Sequence, residues 1–512
     1  MNRFVLIYIF PFLLGGFILN CGSLPMMSDR ESNTDLRFVI THDGTLGSEL
    51  TGRVYVMLSK RRSPSISGPD WFNPEPFFGL DVENWKADTP LLIGKNADGM
   101  NGSPATVGEG PWHAVALFRA ENDRSSLAVE GGIYSDPVKI EGGGINAGAV
   151  ALTCNTQVSG RSWKPHKNLH LVEERSELLS KFYGRDILHG ACVIVPDDYN
   201  PSREEPYPVV FWIGGFGSDH YGGRFMKSLF AVSDYDDQIC RVVLNAQFHG
   251  GHHVFANSAN TGPRMTAFIS EFVPYLESNF NLGGSPSHRY LAGHSSGGWA
   301  AMWLQVKNPE FFDGAWPLAP DPIDFHYFQT LDIYADDANM YTDDDGNLRP
   351  IARNGTIPTI YAKSFVAMDD VIKDGGQIGS FEWVFSPQGA DGRPKKMFDR
   401  ETGRVVSDVA QSWRQYDIRN LLEENWEELS PKLRGKLHII AGEFDTFYLV
   451  EAVQNLKEFF EQNDFDASVQ VIKGGNHGTA MRPKTIREMD EEIAERLDLV
   501  NNQGAASESG RR

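Results

Sequence analysis

After about residue 160, the chain alternates short apolar runs rich in β-branched residues with longer stretches that have helical periodicity. The strands that we predict from this alternation are residues 190–196, 208–216, 241–248, 288–293, 436–443 and 469–475. The helices that we predict are residues 264–280, 296–307, 449–463 and 482–497. Near-continuous apolar strands covered by helices are typical of a mainly parallel sheet with both faces buried. We therefore expect an α/β domain over residues 160–498.

A different pattern precedes this domain. Residues 36–150 contain short runs in which apolar and polar residues alternate, separated by loops rich in Gly, Asn, Pro and Asp. Alternation between turn residues predicts a small antiparallel, β-sandwich-like domain without a long helix.

Residues 325–430 lie between two predicted strands of the α/β domain. A structureless loop of that length is uncommon in a compact domain. We interpret the stretch as an insertion that packs over the carboxyl edge of the sheet and shapes a pocket there. A disordered excursion is the alternative, although the apolar content of the stretch argues against it.

The chain begins with a candidate targeting segment. An apolar run over residues 4–19 follows Arg3 and precedes Cys21. Its length suits the apolar core of a signal peptide and is slightly short for a membrane span. Cys21 resembles the acylated cysteine of a bacterial lipoprotein box, although Asn20 stands where a smaller residue is usual. We predict a signal peptide of the lipoprotein type over residues 1–21, with a simple cleaved signal or an uncleaved anchor as alternatives.

Each of these alternatives exports the rest of the chain. We therefore expect a periplasmic or cell-surface protein that is lipid-anchored through Cys21 and has no other membrane contact. Residues 22–35 are polar and are predicted to be a tether, and residues 499–512 a disordered tail.

Composition excludes some classes of protein. The chain has 47 Lys and Arg against 68 Asp and Glu, a net charge of −21, so nucleic-acid binding is not expected. Four cysteines in 512 residues cannot form a disulfide scaffold. We interpret Cys154, Cys192 and Cys240 as buried small hydrophobic residues without a catalytic role.

The sequence GHSSG at residues 293–297 is the only G-x-S-x-G in the chain. A predicted strand precedes it and a predicted helix follows it, which is the context of a nucleophile elbow. The turn is so tight that residues beside the serine must be small, and Gly293, Gly297 and Gly298 satisfy this requirement. Ser295 is therefore the candidate nucleophile.

A serine hydroxyl needs a base, and the base needs an acid to orient it. In this kind of fold the chain order is serine, acid, histidine, each on a loop after a strand. His477 follows the last predicted strand, and Glu443 and Asp445 follow the strand before it. We predict His477 as the base and prefer Asp445 as the acid. Glu443 is the alternative, although it is nearer the strand and suited to a salt bridge or a helix cap.

An oxyanion hole needs two backbone N–H groups. One comes from the residue after the nucleophile, here Ser296, and the other from a loop after an earlier strand. The glycine-rich loop at residues 213–220 follows such a strand. Gly215 is the first candidate for the second donor, and Phe216 is the next.

These motifs, in this order, resemble the putative esterase family of α/β-hydrolases, the esterase D and enterochelin-esterase-like group that includes feruloyl esterases and mycolyltransferases. The matching segments are VIVPDDY (193–199), YPVVFWIGGFG (207–217), RYLAGHSSGGWAAMW (289–303), NPEFFDGAWPLAPDPIDF (308–325), AGEFDTFYL (441–449) and GGNHG (474–478). The resemblance covers about residues 170–500 and implies an α/β-hydrolase fold with a triad of Ser295, Asp445 and His477. One departure is Ile213, where many members have a histidine before the glycine. The resemblance implies nothing firm for residues 36–150.

Other polar residues are candidates for substrate contact. His249, His252 and His253 lie close together on a loop after a strand, and Asp321 and Asp324 follow a strand beside the nucleophile helix. We take His252, His253, Asp321 and Asp324 as candidate substrate-binding residues, with structural roles as the alternative. No recognisable ligand spacing accompanies the histidines, and triad chemistry needs no metal, so we expect neither metal nor cofactor.

The sequence thus predicts a serine-dependent carboxylic ester hydrolase that works through an acyl-enzyme. An acyltransferase with the same triad is one alternative, and a non-catalytic surface binding module on a hydrolase scaffold is another. The expected substrate is a small-molecule or glycan-linked ester. The sequence does not specify which ester it is, nor the oligomeric state.

Overall fold

The structure is a computed structural model that describes residues 34–120 and 122–497. The predicted signal peptide, Cys21, most of the tether and all of the predicted tail lie outside the described residues. Within the described ranges, no helix combines the length and apolar character that a membrane crossing requires.

The first part of the described chain forms one nine-stranded sheet. Its strands are β1 (Arg37–His42), β2 (Glu49–Ser59), β3 (Phe77–Lys86), β4 (Leu91–Ile93), β5 (Asp98–Gly99), β6 (Trp112–Ala120), β7 (Ile133–Ser135), β8 (Val138–Ile140) and β9 (Ala149–Gln157). The order is β4-β1-β9-β7-β6-β2-β3-β5, with β8 also paired to β6. All pairings are antiparallel except β1 with β9.

This sheet curls around its own core. Four strands separate β1 from β3 in the order, yet the rings of Phe38 and Phe78 lie 6.4 Å apart. The hydrogen bonding joins all these strands in one sheet, because β1 pairs with β9, so the predicted β-sandwich is not confirmed.

The second part contains an eight-stranded sheet in the order β10-β11-β13-β12-β18-β19-β22-β23. The strands after residue 160 are β10 (Leu169–Arg175), β11 (Leu188–Ile194), β12 (Val209–Ile213), β13 (Cys240–Leu244), β14 (Gln247–Phe248), β15 (Gly251–His252), β16 (Asn257–Ser258), β17 (Gly262–Pro263), β18 (Arg289–His294), β19 (Gly314–Leu318), β20 (Pro350–Asn354), β21 (Ile357–Tyr361), β22 (His438–Gly442) and β23 (Ser468–Ile472). The pairings from β13 to β23 are parallel, and those of β10 with β11 and of β11 with β13 are antiparallel.

Helices cover both faces of this sheet. They are α1 (Glu177–Tyr183), α2 (Gly223–Phe230), α3 (Arg264–Ala267), α4 (Val273–Phe280), α5 (Ser296–Lys307), α6 (Ala362–Ile372), α7 (Gln377–Phe385), α8 (Ser407–Ser412), α9 (Ile418–Glu424), α10 (Trp426–Leu433), α11 (Val450–Gln462) and α12 (Pro483–Arg496). A π-helical turn at Phe268–Phe272 joins α3 to α4.

The central strand β12 explains why the sequence pattern is so apolar. Its side chains alternate between two cores: Phe211 belongs to the core that includes side chains of α5 and α11, and Trp212 belongs to the core that includes side chains of α2 and α12. All five of its residues are buried because neither face meets solvent. The α/β class predicted for this part of the chain is confirmed.

Residues 325–430 carry α6 to α9, the start of α10 and the β20–β21 hairpin. Their aromatic side chains join the larger core, where the ring of Phe385 lies 5.2 Å from that of Trp299 on α5 and 5.3 Å from that of Trp413. Because α5 begins directly after the predicted nucleophile, this packing brings the segment beside the nucleophile turn.

Cys154, Cys192 and Cys240 are free and buried, as predicted. Burial raises the pKa of each thiol to about 12, so all three stay protonated near neutral pH. They therefore act as small hydrophobic residues of the cores.

Candidate active site

Ser295 lies in a sharp turn between β18 and α5, with a left-handed φ of 59° and ψ of −123°. A Cβ on Gly293 would lie 2.1 Å from the carbonyl oxygen of Gly297. A Cβ on Gly297 would lie 2.0 Å from the carbonyl oxygen of Ile213. No side chain fits at either position, so the chain closes around the serine only because both residues are glycine.

Asp445 and His477 are joined after the last two strands of the sheet. Asp445 Oδ2 lies 2.8 Å from His477 Nδ1, and the aspartate is fully buried. Its other oxygen accepts hydrogen bonds from the backbone N–H groups of Phe447 (2.9 Å) and Leu449 (3.3 Å). A carboxylate held in this way accepts a hydrogen bond from the Nδ1–H of the imidazole, which leaves Nε2 as the atom that can accept a proton.

Glu443, the alternative acid, has a different place. Its Oε2 accepts a hydrogen bond of 2.7 Å from the backbone N–H of Gly474. Glu443 therefore fixes the loop that leads to His477, while Asp445 contacts the imidazole itself.

Ser295 and His477 line one cavity of about 490 Å³. Ser295 Oγ donates a hydrogen bond of 3.3 Å to Asp321 Oδ1. Within the described part of the chain, no hydrogen bond joins Ser295 Oγ to the His477 imidazole. The Ser295 hydroxyl is thus held by Asp321 in this structure.

Asp321 is a buried carboxyl group at the floor of the nucleophile turn. Its Oδ2 accepts a second hydrogen bond, 2.5 Å from the Oγ of Ser296. Burial raises the pKa of Asp321 to about 6, outweighing the lowering by the Ser296 hydrogen bond and by the nearby His477. The group therefore changes charge near neutral pH, directly beside the nucleophile.

The two predicted oxyanion donors flank Ser295. A Cβ on Gly215 would lie 3.1 Å from the Cβ of Ser295, so the glycine loop approaches the nucleophile closely. Ser296 is the first residue of α5, and N–H groups in the first turn of a helix have no acceptor within it. His252 Nε2 lies 3.1 Å from the carbonyl oxygen of Gly214 and so supports the same loop from behind.

The other candidate substrate residues are not brought together. Asp321 lines the cavity, but His252, His253 and Asp324 are not among the described residues that line it. Both histidines are buried, and each Nδ1 accepts a hydrogen bond from a backbone N–H two residues later. Asp324 accepts hydrogen bonds from the backbone of His326 and the side chain of Asn455. Direct substrate contact by these three side chains is not supported by this geometry.

Two residues that line the cavity, His294 and Phe447, were not predicted as site residues, because in their sequence segments only the triad members were considered. His294 Nε2 lies 3.2 Å from the carbonyl oxygen of His477, and burial lowers the pKa of His294 to about 4, so its ring is neutral and donates to that carbonyl. Phe447 packs edge-on against the His477 ring at 5.0 Å. Both residues stand within two positions of a predicted triad member, and this proximity was the available signal.

Trp71, from the N-terminal sheet, also lines the cavity. No signal in the sequence connected it to the site. Among the described residues, no group of three or more His, Cys, Asp or Glu side chains has a geometry that would hold a metal ion.

Comparison with known proteins adds a family and a few relatives. Esterase MT1326 and Esterase Rv1288, both of Mycobacterium tuberculosis strains, are each 30% identical to this chain over 121 residues. The match covers 23% of this chain and 26% of each relative, so the chain spans about a quarter of their length.

Two solved structures overlap with more of the chain at lower identity. A ferulic acid esterase has 14% identity and a TM-score of 0.40, covering 64% of this chain and 99% of its own. An S-formylglutathione hydrolase from Agrobacterium tumefaciens has 15% identity and a TM-score of 0.40, covering 66% and 98%. Such TM-scores are too low to support an inference about the chemistry of this chain.

The family comparison agrees with the motifs. A family model described as Putative esterase matches residues 189–420, which include the glycine loop and the nucleophile turn and stop before Asp445 and His477. The resemblance of this chain to the putative esterase family is therefore confirmed over residues 189–420.

Proposed function

We propose that this protein is a serine-dependent carboxylic ester hydrolase with an α/β-hydrolase catalytic domain. The observation that carries the proposal is the Asp445–His477 bond of 2.8 Å, on the same cavity as a serine held in a glycine-flanked elbow. A paired imidazole beside a strained, accessible serine is the arrangement that acyl transfer needs.

The first half of the reaction forms an acyl-enzyme. Ser295 Oγ turns from Asp321, attacks the ester carbonyl carbon and gives its proton to His477 Nε2. The N–H groups of Gly215 and Ser296 stabilise the oxyanion of the tetrahedral intermediate. His477 then gives the proton to the leaving alcohol, and Asp445 stabilises the imidazolium in between.

The second half returns the enzyme to its starting state. Water gives a proton to His477 Nε2 and attacks the acyl carbon, and the proton returns to Ser295 Oγ as the acid leaves. No step uses a metal or a cofactor. A cavity of about 490 Å³ suits a small-molecule ester or the ester-bearing end of a glycan.

Covalent labelling tests the proposal. A fluorophosphonate probe should label the full-length protein at Ser295, and Ser295→Ala should abolish labelling. Ser228→Ala, which removes an exposed hydroxyl on α2, is the matched control and should label like the wild type. Labelling of Ser295→Ala, or no labelling of the wild type, would contradict the catalytic proposal.

Export and lipid anchoring remain proposals that rest on residues 1–21 alone. Metabolic labelling with a palmitate analogue, compared between the wild type and Cys21→Ala, tests the anchor independently of catalysis. Equal incorporation in both proteins would contradict it.

A further inference from the structure

The N-terminal sheet contributes a side chain to the active-site cavity. Trp71 lies on the loop between β2 and β3, residues 60–76, and lines the cavity together with Ser295 and His477. Its ring lies 5.1 Å from Phe365, 5.7 Å from Phe216 and 6.4 Å from Phe447. Since Phe447 packs against His477, aromatic contacts run without a break from the N-terminal sheet to the catalytic imidazole.

The loop that carries Trp71 is held in shape by its own contacts. Asp70 Oδ1 accepts hydrogen bonds from the backbone N–H groups of Phe72 (2.8 Å) and Asn73 (3.1 Å), which closes a turn around Trp71. The backbone N–H of Lys60 donates 2.8 Å to Glu75 Oε1 and joins the two ends of the loop. Four prolines within residues 60–76 further limit its conformations.

The N-terminal sheet is also fixed to the second domain at the end of α6. Arg53 donates to the carbonyl oxygen of Val371 through Nε (3.1 Å) and Nη2 (3.0 Å). The hydroxyl of Tyr55 donates 2.9 Å to the carbonyl oxygen of Ile372. Both donors are buried, so this contact is continuous with the protein interior.

A third donor extends the contact toward the cavity. Arg119 Nη1 donates 2.5 Å to the carbonyl oxygen of Asp374, just before α7 begins. Gln377, Ile378 and Phe381 of α7 line the cavity. One interface thus joins the α6–α7 turn to the sheet whose loop carries Trp71. The position of Trp71 relative to the cavity is therefore fixed.

The side chains that line the cavity indicate which kind of substrate group Trp71 contacts. Seven lining side chains are tryptophan or phenylalanine: Trp71, Trp212, Phe216, Phe225, Phe365, Phe381 and Phe447. Among the described residues that line the cavity, none is a lysine or an arginine. The site therefore offers large flat apolar surfaces and no cation for an anionic substrate group.

We propose that Trp71 is a specificity-determining residue that packs against an uncharged, ring-sized apolar group of the ester. This inference rests on the proposed ester hydrolysis and extends it, because it gives the N-terminal sheet a direct part in substrate selection. It predicts that the preference for esters with a bulky apolar group, over an ester that is small on both sides of the ester bond, falls when the aromatic ring at position 71 is removed.

The test compares three neutral esters on the full-length protein. Ethyl acetate is small on both sides of the ester bond, ethyl 3-phenylpropanoate has the ring on the acyl side, and 2-phenylethyl acetate has it on the alcohol side. The released acid is titrated for the wild type, Trp71→Ala, Trp71→Phe and Phe72→Ala. Phe72 is the matched control, since it is 55% exposed and adjacent to Trp71 but does not line the cavity.

Trp71→Ala should lower kcat/KM for at least one phenyl ester about tenfold relative to ethyl acetate. Trp71→Phe should keep most of that preference, and Phe72→Ala should keep all of it. An unchanged ratio in Trp71→Ala, an equal loss on all three esters, or a wild type that prefers ethyl acetate would overturn the inference.

Fluorophosphonate labelling of the same variants distinguishes a failure of this inference from a failure of the proposed ester hydrolysis. A wild type that neither labels at Ser295 nor hydrolyses any of the esters overturns the proposed function. Full labelling of the wild type and of Trp71→Ala, with an unchanged preference, overturns only the role of Trp71. If Trp71→Ala does not fold, the loss of preference must be found in Trp71→Phe, as a smaller shift in the same direction.

Discussion

Replacing Asp321 by asparagine should change the free energy of unfolding in a pH-dependent way. Relative to the wild type, the variant should be more stable at pH 8 than it is at pH 4. The carboxyl group is buried, and its pKa is raised from an ordinary value of 3.8 to about 6. The folded protein therefore binds this proton more tightly than the unfolded chain does. Stability from this group is fully present below pH 3.8 and is lost as the pH rises through about 6.

The magnitude follows from the shift. A difference of about two pKa units, at about 1.4 kcal/mol per unit, corresponds to about 3 kcal/mol of folding free energy lost by the wild type at pH 8. Asparagine has nearly the same shape and no charge to bury, so the variant avoids this loss. Its amide offers one acceptor oxygen instead of two, so a hydrogen bond from Ser295 or Ser296 is lost, at a cost of about 1 kcal/mol relative to the carboxylate.

The measurement is urea denaturation of the wild type and Asp321→Asn at pH 4 and pH 8. The difference in unfolding free energy between the two proteins should shift in favour of the variant by about 2–3 kcal/mol from pH 4 to pH 8. Asp343→Asn is the control, because hydrogen bonds from Asn347 lower the pKa of the Asp343 carboxyl group from 3.8, so it stays ionised over this pH range and the difference for this variant should stay nearly constant. A difference for Asp321→Asn that stays constant with pH, or that favours the variant more at pH 4, would refute the reasoning.

Three further substitutions test other parts of the structure. Asp445→Asn should slow fluorophosphonate labelling by roughly a thousandfold or more, because it removes the acceptor that orients His477. Asp321→Asn should slow labelling far less, and equal losses in the two variants would refute the assignment of the triad acid. Gly297→Ala should abolish labelling and destabilise the fold by at least about 3 kcal/mol, since the new Cβ would lie 2.0 Å from a carbonyl oxygen. A variant whose free energy of unfolding in urea is within about 1 kcal/mol of the wild-type value would contradict this. Asp490→Ala should cost about 3 kcal/mol in the same assay, because buried Arg241 keeps only Asp236 as an ion-pair partner, while the folded fraction still labels at Ser295; a loss of labelling in that fraction would contradict a purely structural role.

The parts of the fold that were predictable have strong local patterns. β18, the turn at Ser295 and α5 follow from an apolar run, two glycines and a helical period that are adjacent in the chain. The predicted helix at 264–280 is present as α3, a π-helical turn and α4. Such elements are visible because each depends on residues close to one another in sequence.

The strand β10 was not predicted because it lies at the edge of the sheet. It pairs only with β11, and its sequence, LHLVEER, has charged or polar side chains at four of seven positions. An edge strand has one hydrogen-bonded neighbour and a side open to solvent, so it does not need the continuous apolar run that marks the central strands.

The positions of His252 and His253 depend on backbone geometry that the sequence does not reveal. Val254 and Phe255 follow them with left-handed φ values of 42° and 53°. Bulky residues rarely adopt this conformation, and here it accompanies a turn in which both histidine rings accept backbone N–H groups and stay in the interior. A polar loop beside a predicted active site was therefore a reasonable location for substrate contacts, but not a sufficient reason to assign them.

The contacts that set the character of the site are those between distant parts of the chain. Asp321 meets Ser295 across 26 positions, and Trp71 meets Phe447 across the boundary between two sheets. The periodicity of the sequence does not predict either contact, because no local preference of the backbone depends on it. Chain order led to the proposed triad, since each of its members must follow a particular strand, whereas the other residues that line the cavity follow no such order.

The local rules of the fold are broken at the nucleophile turn in two ways. Ser295 has a left-handed backbone, and Asp321 is a carboxyl group buried beneath it. Both features reduce stability, the second by about 3 kcal/mol at pH 8. Such losses persist where a function requires them, and in the proposed reaction the strained turn exposes the Ser295 hydroxyl while Asp321 holds it before substrate binds. Asp321→Asn separates these two effects, because it removes the buried charge and leaves the turn in place.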